Sequence, residues 1–228
     1  MARPRKFDES DVLERARDRF WQSGYDATTM QDLCEATGVA SQSLYGAFGS
    51  KHGVFARSLG AYCAGQVRGL GENLECSTDP WASLMTVVVF EDGDGRLPLG
   101  PDGCFLSSSA AGLARRDDTV RDLSRSTYDG ILHLLRTQLE RARAAGQLRE
   151  GVDLDTAAAG MLSAMQGIEF LAKSGVDTEI RERARTATIA MLTAAYAHPD
   201  LVGEQPGPDA AGRTEAEERE ERSAAVSG

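Results

Sequence analysis

Residues 41 to 51 concentrate hydrogen-bonding side chains in a segment that carries no charge until its last position. Ser41, Gln42, Ser43 and Tyr45 are followed by Lys51. In the major groove of DNA a glutamine can pair with the edge of an adenine, and a serine can bond to bases or phosphates. A lysine at the end of such a segment can neutralise a phosphate. These residue types favour recognition of double-stranded DNA and not catalysis.

Two short helices joined by a tight turn would position that segment. Thr29 can cap the second helix of the chain, and Gly38 can end it in the left-handed conformation that a side chain would strain. A third helix is predicted over residues 41–48, with Leu44 and Phe48 on its inner side. The order of helix, tight turn and helix predicts a helix-turn-helix, in which the polar side chains of the third helix face outward.

The whole chain is predicted to be all-α. Apolar residues recur three and four positions apart in most segments, and alternation with a period of two is absent. A first helix, capped by Ser10 or Asp11 and stopped by Gly24, would complete a three-helix head. The further helices expected are a long one from Lys51 to about residue 74, one after "STDP", one at "CFLSSSAAGLAR", one over about 119–144, one capped by Asp155 and Gly175, and one over 179–197.

Charge is distributed unevenly along the chain. The formal net charge of −10 would argue against a nucleic-acid partner if it were spread evenly. Residues 1 to 58, however, hold eight basic and eight acidic side chains, so the negative excess lies in residues 59 to 228. Arg3, Arg5 and Lys6 also form a basic arm ahead of the first acidic residue, Asp8. A small DNA-binding head on an acidic body fits this distribution.

Catalysis, metal binding and membrane insertion find little support in the sequence. The three histidines have no second ligand at helical spacing, and no GxSxG, HExxH, P-loop or Rossmann fingerprint occurs. The four cysteines match no zinc spacing and are expected to be reduced thiols. The longest apolar run, "LMTVVVF", falls short of the roughly 20 residues of a membrane helix. We therefore expect a cytoplasmic protein without enzyme activity, cofactor, metal or membrane contact.

Residues 12 to 55 closely resemble the N-terminal domain of the TetR/AcrR family of one-component bacterial regulators. The shared passages are "F-x-x-x-G-Y-x-A-T-T" at residues 20–29, "D-L-x-x-A-x-G-V" at 32–39 and "L-Y-x-x-F-x-S-K" at 44–51. Cys34 departs from the family, in which alanine is more usual. The resemblance implies a repressor that binds palindromic operator DNA as a homodimer. It also implies that the last two helices of each subunit pair as a four-helix bundle, and that a small-molecule effector releases the repressor from the DNA.

Individual residue roles also follow from the resemblance. Thr29, Tyr45 and Lys51 match positions that usually contact phosphates. Ser41, Gln42 and Ser43 match positions that face bases. Arg3 and Arg5 resemble the arm that some members place in a minor groove. The implied division is a DNA-binding head over residues 1–50, a helical effector-binding and dimerisation domain over 51–202, and a disordered acidic tail over 203–228.

The effector site is expected inside the helical body. "GCFL" at residues 103–106 resembles the opening of the sixth helix in a branch of the family whose pocket lies nearby. The predicted lining consists of large apolar side chains with a few polar contacts: Trp81, Met85, Cys104, Phe105, Tyr128, His133, Met161, Met165, Gln166, Glu169 and Phe170.

Two alternatives to a ligand-released repressor stay open at this point. Cys104 could act as an electrophile- or oxidant-sensing thiol, because amides at a helix start can stabilise a thiolate. From another class, the chain could be a helical adaptor or binding protein without a DNA function. The adaptor gives no reason for the neutral head or for the basic arm.

Overall fold

The computed structural model describes residues 7–90 and 103–201, and the architecture of this part is all-α, as predicted. Residues 1–6, 91–102 and 202–228 lie outside the described residues, and with them the basic arm, most of the glycine-rich loop and the acidic tail. The helices of the described part are α1 Glu9–Ser23, α2 Met30–Thr37, α3 Ser41–Phe48, α4 Lys51–Cys76, α5 Pro80–Val89, α6 Phe105–Leu113, α7 Asp118–Ala144, α8 Leu154–Lys173 and α9 Thr178–Tyr196.

Local capping explains the helices of the head. Thr29 and Asp32 form a reciprocal capping box at the start of α2, in which each side chain accepts the other residue's backbone N–H. Gly38 ends α2 in the left-handed conformation, with φ at 71°, and α3 begins three residues later. Leu44 and Phe48 point inward from α3. The predicted helix-turn-helix is therefore present, with the predicted bounds for α3.

Two predicted helix caps are wrong by two or three residues. Asp8, and not Ser10 or Asp11, caps α1, because its extended backbone lets its carboxylate accept the Ser10 N–H at 2.9 Å. Asp153 caps α8 in the same way by accepting the Thr156 N–H at 2.7 Å. Asp155 instead lies in the first turn of α8. In each case the acidic residue with an extended backbone takes the cap.

The helices enclose two apolar cores. One core lies in the body and joins the second half of α4 with α5, α7, α8 and α9. The other contains the inner faces of α1, α2 and α3 and continues into the first half of α4, into α6 and into the start of α7. The head therefore shares its core with α6, and the sequence boundary at residue 50 does not coincide with a break in apolar packing. No helix of the described part is long and apolar enough to cross a membrane.

Candidate nucleic-acid interface and buried polar cluster

The outward side of α3 carries four polar side chains that we call the reading face: Ser41, Gln42, Ser43 and Tyr45. All four are exposed, whereas Leu44 on the opposite side is fully buried. Within the described part of the chain, none of the four side chains makes a hydrogen bond to another protein group. Their donors and acceptors are thus available to a partner, in the arrangement that base recognition needs.

The backbone amides at the start of α3 are a second polar feature beside the reading face. Its N-cap, Ala40, has an extended backbone and no side chain that could bond to the first amides of the helix. Free amides and the positive end of the helix dipole favour an anion at such a terminus. A phosphate approaching beside the reading face would meet this end of α3.

Thr29 and Lys51 are engaged within the protein, which the resemblance did not predict. The Thr29 hydroxyl lies 2.7 Å from the Asp32 carboxylate inside the capping box. The Lys51 ammonium donates to the carbonyl oxygens of Tyr25 and Thr28 at 2.9 and 2.8 Å. It also lies 4.3 Å from the centre of the Tyr25 ring. Lys51 therefore ties the first turn of α4 to the turn between α1 and α2.

Basic side chains in the head are held by acidic neighbours. Arg19 pairs with Asp32 at 2.8 Å, and Arg57 pairs with Glu9. The Thr29 hydroxyl and amide, followed by Arg19, lower the pKa of Asp32 to about 2. The helical part of the head is thus locally neutralised, which agrees with the balanced charge count of residues 1–58.

Polar and aromatic contacts connect the head to the body. His52 at the start of α4 lies 2.8 Å from Asp117, the residue that caps α7. Asp26 pairs with Arg116 across the same junction. Between these pairs, Phe55 packs edge-on against Phe105, with ring centres 5.9 Å apart. A displacement of α6 or of the α6–α7 turn would therefore also displace the residues of the head that contact it.

A polar cluster lies beneath α6, with one fully buried member, Glu169, and four half-buried ones. We define it as Cys104, Ser107, Tyr128, Gln166 and Glu169. The Glu169 carboxylate is only 3% exposed and accepts the Cys104 N–H at 3.0 Å. Ser107 Oγ lies 3.0 Å from Glu169 Oε2, and the Tyr128 hydroxyl donates to Gln166 Oε1 at 3.2 Å. The cluster thus joins α6, α7 and α8 through mutually satisfied polar groups.

Two residues of α4 border the polar cluster. The Tyr62 hydroxyl donates to the Cys104 sulfur at 3.4 Å. Burial raises the pKa of Tyr62, and burial likewise raises the pKa of the Cys63 thiol to about 11. Both groups are therefore neutral near pH 7. Burial also raises the pKa of Tyr128, which keeps its hydroxyl a donor to Gln166.

The remaining residues of the predicted effector lining do not share one site. Trp81, Met85, Met161 and Met165 belong to the body core, whereas Phe105 belongs to the core that continues into the head. His133 is exposed on α7, and Phe170 is 61% exposed on α8. Effector binding by these residues stays a prediction, and within a protomer His133 and Phe170 do not belong to the body core.

Sequence reasoning missed two members of this region. Ser107 lies three residues after Cys104 and hence on the same side of α6, a spacing that was visible in "CFLSSS". Tyr62 lies on α4, 42 residues from Cys104, and no local pattern connects the two. Metal ligation has no support in the described ranges, where no three His, Cys, Asp or Glu side chains could hold an ion.

Comparison with known proteins identifies the family. The profile described as "Bacterial regulatory proteins, tetR family" matches residues 12–57, and that described as "Tetracyclin repressor-like, C-terminal domain" matches residues 95–188. The chain belongs to the TetR family of transcriptional regulators. In this TetR-family regulator the N-terminal match contains the whole reading face, and the C-terminal match contains the whole polar cluster.

Relatives of this TetR-family regulator include proteins whose names and structures concern repression. The transcriptional repressor ComR of Escherichia coli (strain K12) is 26% identical over 185 residues, which cover 78% of this chain and 85% of ComR. A cysteine mutant of CifR, solved with a 26-bp double-strand operator DNA, is 28% identical, with a TM-score of 0.69 and coverage of 85% of this chain and 99% of CifR.

A third structure supports the fold alone. The TetR-family regulator from Cytophaga hutchinsonii has a TM-score of 0.72 at 20% identity and covers 81% of this chain and 92% of its own. The arrangement of a helix-turn-helix head on a helical body is therefore retained where little sequence similarity remains.

Proposed function

We propose that this chain is a repressor that binds a palindromic operator as a homodimer and is released by a small-molecule effector. The reading face carries the proposal, because four exposed polar side chains without hydrogen-bond partners among residues 7–90 and 103–201 lie over a buried Leu44 and Phe48. ComR is named a repressor, and CifR is described in complex with operator DNA. The protein would act in the cytoplasm, where the DNA is, and without catalysis.

Roles in operator binding differ among the predicted residues. Ser41, Gln42 and Ser43 would contact base edges, and Tyr45 would contact a phosphate. Lys51 would act mainly as a positioning residue, because two of its three N–H groups already hold backbone carbonyls.

Two further assignments concern groups beside the reading face. Thr29 keeps its hydroxyl in the capping box, so its contribution would be to position α2. Arg3 and Arg5 would follow the minor groove, as arms of this kind can.

The last two helices offer a surface for a second copy. Phe170 on α8 and Ile180 and Met191 on α9 are 61%, 48% and 65% exposed, although all three are large and apolar. Pairing of two copies through α8 and α9 would bury these side chains. It would also place two heads roughly 34 Å apart, so that they meet successive major grooves of a palindrome.

The polar cluster is the proposed polar end of the effector site. It lies between α6 and α8, and α6 shares a core with the head. An effector that exchanged hydrogen bonds with Gln166 or Glu169 would alter the position of α6. The shared core would pass this displacement to the head, and the spacing of the two reading faces would change.

A mobility-shift titration with the DNA upstream of the chain's own coding region tests operator binding. We expect retardation that competitor DNA of unrelated sequence does not abolish. Gln42→Ala should reduce it, and Gln22→Ala, the same substitution at an exposed position of α1, should not. No retardation by the wild type at low salt would contradict the proposal.

Thiol sensing by Cys104 is a second candidate function. Cys104 stands at the start of α6, where no side chain caps the helix, and its sulfur is hydrogen-bonded by Tyr62 between α4 and α6. Alkylation there would add bulk at the contact that links body and head. The test is release of operator DNA by N-ethylmaleimide. Release should occur in the wild type and in Cys76→Ser, whose thiol is exposed at the end of α4, but not in Cys104→Ser. Equal release in all three proteins would exclude Cys104 as the sensor.

A further inference from the structure

A crevice separates the head from α6. Its volume is about 130 Å³, and it is partly open to solvent. The head contributes Phe20, Trp21 and Tyr25, and α4 contributes Phe55. We call this space the junction crevice. It is distinct from the polar cluster, none of whose five side chains lines it.

Small residues on α6 leave this space open. Ser108, Ser109 and Gly112 face the aromatic side chains of the head across the crevice. A Cβ atom added to Gly112 would have no heavy atom within 4 Å. Because dense packing is the rule at contacts between helices, an unfilled site of this size between aromatic rings and small side chains is unusual.

An unsatisfied hydrogen-bond donor belongs to a residue of the crevice wall. The Nε1 atom of Trp21 is buried and has no acceptor among the described residues. Buried indole N–H groups usually find a partner, since an unmade bond in such a place costs free energy. Because this atom has almost no accessible surface, the Trp21 indole N–H lies behind the wall and does not face the open space.

The charges at the mouth of the crevice cancel. Asp26 and Arg116 line the opening and pair with each other, and both are largely exposed. The opening therefore offers no net charge that would select an anion or a cation. Such an opening favours a neutral ligand over a charged one.

From these observations we infer that the junction crevice binds a small, neutral, single-ring aromatic molecule. The size fits one ring, since an apolar cavity of roughly 150 Å³ accommodates benzene. The half-buried rings of Trp21 and Tyr25 would contact the ligand ring from the side of the head.

Binding at this place would couple to the head, a consequence that rests on the proposed function. One wall of the crevice belongs to α1 and the other to α6, so the ligand fits only one separation of the two. A ligand with different affinities for two positions of the head shifts their populations, and the operator affinity changes with them.

Indole NMR signals test the site without DNA. The chain has two tryptophans, Trp21 at the crevice and Trp81 in the body core, and Trp81→Phe assigns the two Nε1–H signals. The probe is benzyl alcohol, and methanol is the control without a ring. We expect benzyl alcohol to shift the Trp21 signal saturably and leave the Trp81 signal in place, and methanol to give no saturable shift. Parallel, non-saturating shifts of both signals would overturn the site.

A pair of α6 variants makes the test specific. Gly112→Leu adds a side chain toward the crevice from a helical position with free space around its Cβ, so the fold should persist. Ala111→Leu adds a similar bulk at the neighbouring exposed position, which does not line the crevice. Thermal melting checks that both variants fold. The saturable Trp21 shift should disappear in Gly112→Leu and remain in Ala111→Leu, and unchanged binding in Gly112→Leu would overturn the assignment.

An operator titration with and without saturating benzyl alcohol tests the coupling. The operator affinity should change in the wild type and stay constant in Gly112→Leu. An unchanged affinity in the wild type, alongside a saturating Trp21 shift, would overturn the coupling and leave the site standing. Failure of the wild type to bind any operator would contradict the proposed function, and the NMR titration would still decide whether the crevice binds its ligand.

Discussion

The reading face of α3 and the polar cluster beneath α6 are made from the same kinds of side chain. Each contains serine, glutamine and tyrosine, and neither contains a basic residue. On α3 these groups are exposed and make no hydrogen bond to the part of the chain that the structure describes, whereas in the polar cluster Ser107, Tyr128 and Gln166 bond to one another or to Glu169. The same functional groups are thus available to an external partner in one region and satisfied internally in the other.

Burial accounts for this difference. Exposed polar groups can exchange water for a partner at little cost, but a buried polar group without a bond destabilises the protein. The polar cluster therefore has to be complete in the folded protomer, and a ligand there must replace existing bonds. The reading face has no such requirement, so substitutions on it should affect recognition and leave the fold intact.

The largest effect is expected from Glu169→Leu in the polar cluster. The substitution leaves the Cys104 N–H without its buried acceptor, and it leaves Gln166 as the remaining acceptor for the Ser107 hydroxyl. We expect a loss of about 3 kcal/mol in the free energy of unfolding. Gln42→Leu on the reading face should change it by less than about 0.5 kcal/mol. Urea unfolding at one fixed protein concentration measures both, because association of subunits would otherwise alter the apparent stability.

Similar, small losses of unfolding free energy in Glu169→Leu and Gln42→Leu would contradict this difference between the polar cluster and the reading face. They would show that the carboxylate of Glu169 is not needed to satisfy its neighbours. Glu169→Gln provides the graded control, since it keeps the size and one acceptor oxygen. Its loss should lie between the two leucine variants, at about 1 kcal/mol.

Next in size is the effect of Gln42→Ala on DNA recognition. One base position in each half-site should lose about 1 to 3 kcal/mol of discrimination. Binding to unrelated sequences should stay constant, because non-specific affinity comes from phosphate contacts. Competition titrations with operators substituted at single positions measure the change. An equal loss on operator and unrelated DNA would show that Gln42 does not read a base.

Lys51→Met should have a smaller effect, on both stability and binding. Removal of the two bonds to the carbonyls of Tyr25 and Thr28 should cost about 1 kcal/mol of unfolding free energy. All DNA sequences should bind more weakly, because the turn before α2 loses its tether. If Lys51 only positions this turn, the slope of log K against log salt should stay the same. A slope reduced by about 1 would indicate a phosphate contact by Lys51 itself.

The smallest effect concerns the half-buried carboxylate of Asp32, in contrast to the fully buried one of Glu169. The pKa of Asp32 is lowered to about 2 in the folded protein, so the carboxylate stabilises the fold above its ordinary pKa of about 4. This contribution is lost as the pH falls from about 4 toward 2. The wild type should therefore melt slightly above Asp32→Asn at pH 7, and the difference should vanish in acid. A difference that stays constant with pH would exclude this linkage.

Local signals made the head largely predictable. Thr29 at a helix start and Gly38 at a left-handed end act on backbone groups a few residues away, so their types and spacing specify the helix between them. The exposure of the reading face followed from the period of α3. The caps of α1 and α8 were misplaced because several acidic residues competed within one turn, and only the backbone conformation selects one of them.

The sequence by itself determined the family, the all-helical fold and the composition of the reading face, because these depend on short spacings within one helix or turn. Only the tertiary structure decided which distant groups meet. Cys104 and Glu169 are 65 residues apart, and Lys51 bonds to a carbonyl 26 residues away. The junction crevice likewise exists only where α1 and α6 come together. Such contacts arise from the packing of whole helices, and a local pattern carries no information about which helices will pack.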